Sequence, residues 1–361
     1  MIEGPTSHTY FSQRLRLHYV DWGNSEAPPL LLIHGGRDHC RSWDWVAEKF
    51  RKDWHVIAPD LRGHGDSEWS ADGEYSLRAC LYDLAQLIHQ KNLAPVTIVA
   101  HSYGGNLSLR YTGTFPETVR KLVVIEGLGP SPELLAKRAD IPIDERIRKW
   151  IDEKRGLAAR LPKKYTSLEE AMDRMKEANA YLSEKQARHL TVHGTHQNED
   201  GTWSWKFDNY MRSMPPYEIE QSDLHHLWSR ITCPTLLLYG ADSWASNPAK
   251  DGRGDHFENA EVLEYQNLAN KMGIKFVSMI IENRHNGRSS HNVPTSTIEN
   301  MKKSEVEGKF IENVNSPLNN LKREFFHLGP KNDWKKLLDS KILDKMNEYY
   351  SEDLKKLGYE Y

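Results

Sequence analysis

The residues best spaced for chemistry are Ala100-His101-Ser102-Tyr103-Gly104-Gly105, which follow the apolar run Val96–Ala100. They match the pattern G-x-S-x-G, in which a sharp strand-to-helix turn holds a serine hydroxyl at its tip. Ala100 replaces the first glycine, a mild departure because alanine is also small. Ser102 is therefore the candidate nucleophile. The start of the following helix favours negative charge developing at the reacting centre.

A second loop complements the first. Leu30–Ile33 runs into His34-Gly35-Gly36-Arg37. Beside such a serine, one stabilising N–H comes from the residue after the nucleophile and another from a loop after an early strand. These assign the backbone N–H groups of Tyr103 and Gly36 as the oxyanion hole. Glycine suits the loop because its amide approaches the substrate with no Cβ in the way. In Ala58-Pro59-Asp60-Leu61-Arg62-Gly63-His64-Gly65-Asp66-Ser67 the plainer reading is preferred: Asp60, Arg62 and Ser67 hold a loop by hydrogen bonds, and His64 is structural, not a base.

The elements that must position these loops alternate between strand and helix. Strands are predicted at Arg16–Val20, Pro29–Ile33, Trp54–Ala58, Val96–Ala100, Lys121–Ile125, Thr235–Tyr239 and Glu261–Tyr265. Helices are predicted at Tyr75–Gln90, where Leu77, Leu81, Leu84 and Leu87 share a face, and at Asn106–Phe115, which Pro116 stops. Between Pro130 and Leu227 the pattern is helical and charged, as in Ile143–Arg155 and Leu168–Leu182, with no convincing strand. An all-helical insertion there reads as a cap, because it leaves the sheet at the end where open α/β folds bind ligands.

HGGRD, DLRGHGDS, AHSYGG and the helical insertion together resemble the α/β-hydrolase superfamily of cap-bearing esterases, epoxide hydrolases and haloalkane dehalogenases, over about residues 8–267. The resemblance implies an α/β fold with a core at 1–130 and 228–267 and a helical cap at 131–227. Epoxide hydrolases and dehalogenases carry aspartate at the elbow. Ser102 instead implies hydrolysis of an ester or related acyl bond through an acyl-enzyme, with a small-molecule acyl substrate and no cofactor or metal. The acid of the triad is Glu126, after the strand ending at Ile125, or Asp242, in the loop after Thr235–Tyr239. The base should follow the last strand, but Asn270 stands where the histidine is expected, and an amide cannot take the serine proton. His285 and His291 are the nearest later histidines, and His285 is the candidate base. A non-catalytic binding protein on the same fold is the alternative.

Residues 268–361 differ in composition: Lys, Asn, Ile and Glu dominate, and Trp334 is their only tryptophan. Thr297–Lys303, Phe325–Lys336 and an amphipathic stretch from Lys341 to Leu357 resemble the end of cytosolic sulfotransferases. His327-Leu328-Gly329 replaces the Arg-Lys-Gly that grips the 3′-phosphate of PAPS, and the loop that cradles the 5′-phosphosulfate is absent from the sequence. PAPS binding is therefore not expected. The net charge of -3 gives no pull toward nucleic acid. No apolar run reaches the roughly 18 residues of a membrane span. Three dispersed cysteines and the absence of a signal-like N-terminus lead to an expected cytoplasmic location. Oligomeric state is not legible.

Overall fold

The computed structural model describes residues 4–265, apart from 159, 161, 180, 181, 214, 218 and 241–247. Strands β1 (Thr6–Ser12), β2 (Leu15–Asp21), β3 (Pro29–Ile33), β4 (His55–Pro59), β5 (Val96–His101) and β6 (Val119–Ile125) are joined by two later strands, β9 (Thr235–Gly240) and β10 (Ala260–Tyr265). The eight form one mixed sheet in the order β1-β2-β4-β3-β5-β6-β9-β10. β1 and β2 are antiparallel, β2 meets β4 antiparallel, and the pairs from β4 to β10 are parallel. The central strands are buried along nearly their whole length, so they read as continuous apolar runs.

The helices α1 (Asp44–Phe50), α2 (Leu77–Gln90) and α3 (Ser102–Thr114) cover this sheet. Ser76 caps α2 by accepting a hydrogen bond from the Ala79 N–H. Leu84 and Leu87 are buried, and Leu77 and Leu81 pack partly buried against the same core. β1 was not expected from the sequence. Its residues are mostly exposed, and they pair with β2 through a two-residue loop in which Gln13 and Arg14 both have positive φ. Such a turn normally carries Asn or Gly, so its usual signal is missing.

Between β6 and β9 lie α4 (Pro132–Ala139), α5 (Ile143–Ala158), α6 (Leu168–Ala178), α7 (Glu184–Gly194) and α8 (Gln221–Ser229). The expectation of an all-helical insertion needs correcting. It contains a two-stranded hairpin, β7 (Thr195–Gln197) and β8 (Trp203–Trp205). Gly201 at φ +82 makes the turn, and the Asn198 N–H donates to Thr202 O across it. The paired stretches are three residues each, too short for a period-2 pattern to stand out. No helix among the described residues is long and apolar enough to cross a membrane.

Candidate active site

Ser102 begins α3 directly after the buried strand β5. His101 is extended, with φ -116 and ψ 138, while Ser102 turns to φ +49. A non-glycine residue in that region is strained and persists only where its surroundings hold it. Close approach of the next turn to β3 provides the hold. A Cβ at Gly104 would lie 2.4 Å from the carbonyl oxygen of His34 and 2.7 Å from Ile33 Cγ2. One residue earlier, a Cβ built on Gly36 would lie 3.8 Å from Tyr103 Cβ. The two sequence-assigned oxyanion residues are thus neighbours. Among the described residues the Gly36 N–H has no acceptor.

Two histidines fix the Gly36 loop. His34 Nδ1–H donates to Gly35 O at 2.7 Å, and its Nε2 accepts the Leu61 N–H at 3.0 Å. His64 Nδ1–H donates to Arg62 O at 3.0 Å, and its Nε2 accepts the Arg37 N–H at 2.9 Å. Both rings are buried, and burial lowers both pKa values, that of His64 to about 3. With both nitrogens of each ring engaged, they are positioning groups and not bases, as expected for His64.

The Asp60–Ser67 segment also behaves as a loop organiser. Asp60 accepts from His18 Nδ1–H at 2.7 Å, Cys40 N–H at 2.7 Å and Asp66 N–H at 2.9 Å. Burial alone would raise its pKa, but the His18 hydrogen bond and charge hold it below the usual carboxylate range. Ser67 donates to Asp60 O, and Arg62 forms a buried pair with Asp83 at 2.6 Å. Two side-chain groups have metal-like spacing among the described residues: His18, Cys40 and Asp60, and Asp44, His189 and His193. In the first the carboxylate already serves three donors. In the second, the Arg41 Nε–H is shared between the two Asp44 carboxylate oxygens at 2.9 and 2.8 Å.

Glu126 follows β6, whose register pairs Ile125 with His101, so Glu126 and Ser102 each lie one residue beyond the same rung. Its φ is +55 and it is 4% exposed. Its Oε1 accepts the Gly240 N–H at 2.7 Å, and its own N–H donates to Leu238 O at 2.9 Å. This carboxylate therefore holds the end of β9, two residues before Asp242. Asp242, Asn270, His285 and His291 lie outside the described residues, as does the stretch resembling sulfotransferases. Among the described residues no histidine nitrogen lies within hydrogen-bond distance of the Ser102 hydroxyl.

Sequence reading missed a cavity of about 250 Å³ between residues 36–39 and the insertion, lined there by parts of α6 and β8. Its wall reaches Gly36, although Ser102 and Tyr103 lie outside it. The residues it takes from the insertion are distant in the chain and form no motif.

The esterase Rv0045c of Mycobacterium tuberculosis is 26% identical over 272 residues, 73% of this chain and 84% of that protein. A serine hydrolase-like protein of Danio rerio is 25% identical over 226 residues, 61% of this chain and 67% of that protein. Among solved structures, the thioesterase domain from the curacin biosynthetic pathway superposes with a TM-score of 0.63 at 22% identity, covering 78% of this chain and all of that one. The solved Rv0045c structure gives 0.56 at 21% identity, covering 78% of this chain and 92% of that one. These two structural likenesses concern the fold. Residues 28–267, more than half of the chain, match the family described as the alpha/beta hydrolase fold, and the chain belongs to that family.

Proposed function

We propose that the chain is a serine hydrolase of small acyl substrates, of the carboxylic-ester type, with residues 131–227 as a cap over the site. The observation carrying this reading is the strained turn at Ser102, held against the loop in which a Cβ on Gly36 would lie 3.8 Å from Tyr103 Cβ. The family and the esterase relative support it. In the proposed reaction the Ser102 hydroxyl attacks the acyl carbon, the N–H groups of Gly36 and Tyr103 receive the oxyanion, and the alcohol leaves. Water then releases the acid from the acyl-enzyme. Glu126 or Asp242 supplies the carboxylate of the triad.

The base governs the rate. If His285 or His291 supplies it, kcat/KM has a histidine-like inflection that disappears on changing that residue to Ala. If neither does, the triad is a broken unit. Such units keep roughly 10³–10⁴-fold acceleration over water from binding and the oxyanion hole. Hydrolysis of 4-nitrophenyl acetate then climbs with hydroxide, and Asn270→His raises the rate by about tenfold or more. Wild-type turnover near about 10 s⁻¹, indifferent to loss of both His285 and His291, contradicts this account of the base. A hydrolase-fold binding protein is the alternative reading. Ligand binding with no Ser102-dependent turnover would select it.

A further inference from the structure

The cavity beside Gly36 is lined by charge of one predominant sign. Arg37, Lys163, Arg174, Lys206 and Arg212 border it, and Asp38 is the one carboxylate among its lining residues. Burial pushes the pKa of Asp38 up to about 7, so it offsets these cations only in part near neutrality. Lys206 pairs with Asp66 at 2.7 Å and Arg174 with Glu177 at 3.2 Å, but the two acids are 54% and 68% exposed and hold such pairs weakly. Arg212 has no ion pair among the described residues.

A second observation at the same place points to a ligand. His39 and Asn179 line the cavity and are 6% and 2% exposed, yet among the described residues His39 Nδ1 and Asn179 Oδ1 have no hydrogen-bond partner. His39 Nε2–H donates to Leu190 O at 3.1 Å, and burial lowers its pKa to about 4, which leaves Nδ1 an acceptor. Asn179 Nδ2 donates to Met175 O at 2.9 Å, which leaves Oδ1 an acceptor too. Buried acceptors without donors are unfavourable, and a ligand hydroxyl or N–H that reached one of them would relieve it.

We propose that this cavity binds the free carboxylate of a short acyl substrate, together with a hydroxyl or amide N–H that donates to Asn179 Oδ1. The inference rests on the hydrolase reading, because it makes Gly36 the boundary between the reacting carbonyl and the acid end of the same substrate. The volume, about 250 Å³, falls just under the usual lower limit of about 300 Å³ for ligand pockets. It suits a few-atom acidic group and not a long acyl chain. Arginine fits the role because its planar fork matches a carboxylate.

The test has a binding arm and a kinetic arm, both on the full chain. By calorimetry, glutarate binds more tightly than inorganic phosphate. The double variant Arg174→Gln/Arg212→Gln weakens it by about tenfold, and added salt weakens it further. 3-Hydroxyglutarate binds more tightly than glutarate, and Asn179→Leu removes that difference while the two arginines remain. Melting curves establish that each variant is folded. Kinetically, 4-nitrophenyl hydrogen glutarate has a kcat/KM at least about tenfold above that of 4-nitrophenyl pentanoate, and the ratio falls in the arginine double variant. Arginine-dependent glutarate binding with neither ester hydrolysed keeps the carboxylate site and refutes the hydrolase reading. Both esters hydrolysed with equal efficiency overturns the carboxylate site and leaves the hydrolase reading standing. Tighter phosphate binding, or glutarate binding that the double variant does not alter, also overturns it.

Discussion

Gly104 and the carbonyl oxygen of His34 approach so closely that a Cβ on the glycine would lie 2.4 Å from that oxygen. The obstacle is backbone, held at the end of β3, so it cannot swing aside as a long side chain would. This contact joins the turn bearing Ser102 to the loop bearing Gly36, and the oxyanion assignment depends on it.

Gly104→Ala should therefore separate the two loops. Overpacking of this kind costs about 1–3 kcal/mol, and a shift near 1 Å in a catalytic group can lower the rate by about a hundredfold. Gly36→Ala is the contrast. Its new Cβ would meet Tyr103 Cβ at an ordinary 3.8 Å, so its stability should stay within about 0.5 kcal/mol of the parent. Urea titrations of both variants distinguish the effects. Equal destabilisation would count against the geometry.

Arg62 and Asp83 form a buried pair, each side chain 3% exposed, with Ser12 also donating to the carboxylate at 2.6 Å. Arg62→Met leaves Asp83 charged and uncompensated, which should cost about 3–5 kcal/mol. Arg62→Met/Asp83→Leu should recover much of that loss. If the single variant unfolds at the same urea concentration as the parent, the pair has no structural role.

Much of this organisation was legible in the sequence because it depends on local pattern. The apolar runs predicted at Pro29–Ile33 and Val96–Ala100 correspond to strands at Pro29–Ile33 and Val96–His101. The plain reading of Asp60, Arg62, Ser67 and His64 also agrees with their hydrogen bonds. Features set by tertiary context were not legible. β1 is polar and held by pairing with β2, the β7–β8 hairpin is short, and the cavity gathers Arg37, His39, Asn179 and Arg212 from distant segments. Glu126 was recognised as a strand-end carboxylate, but its hold on the Gly240 N–H required the register of β6 with β9.

His64 should also make stability depend on pH. Burial is the leading cause of its lowered pKa, about 3 in the folded chain against about 6.5 when unfolded. Between those values the unfolded chain binds the extra proton, so this contribution is fully present above about pH 6.5 and is lost as pH falls toward about 3. His64→Gln removes the titration. The slope of unfolding free energy against pH should flatten by about 1.4 kcal/mol per pH unit in that window. Parallel slopes for parent and variant would show that His64 is not held neutral.

The central claim is that Ser102 is the nucleophile, and the most direct measurement is the site of acylation. The chain is mixed with 4-nitrophenyl acetate, quenched in acid while turnover continues, digested, and its peptides are analysed by mass spectrometry. The account predicts one acetyl group on the peptide containing Ser102, absent from Ser102→Ala, whose nitrophenol release falls well below that of the parent chain. An acetyl group found only on other residues, with Ser102→Ala releasing nitrophenol as fast as the parent chain, would contradict it.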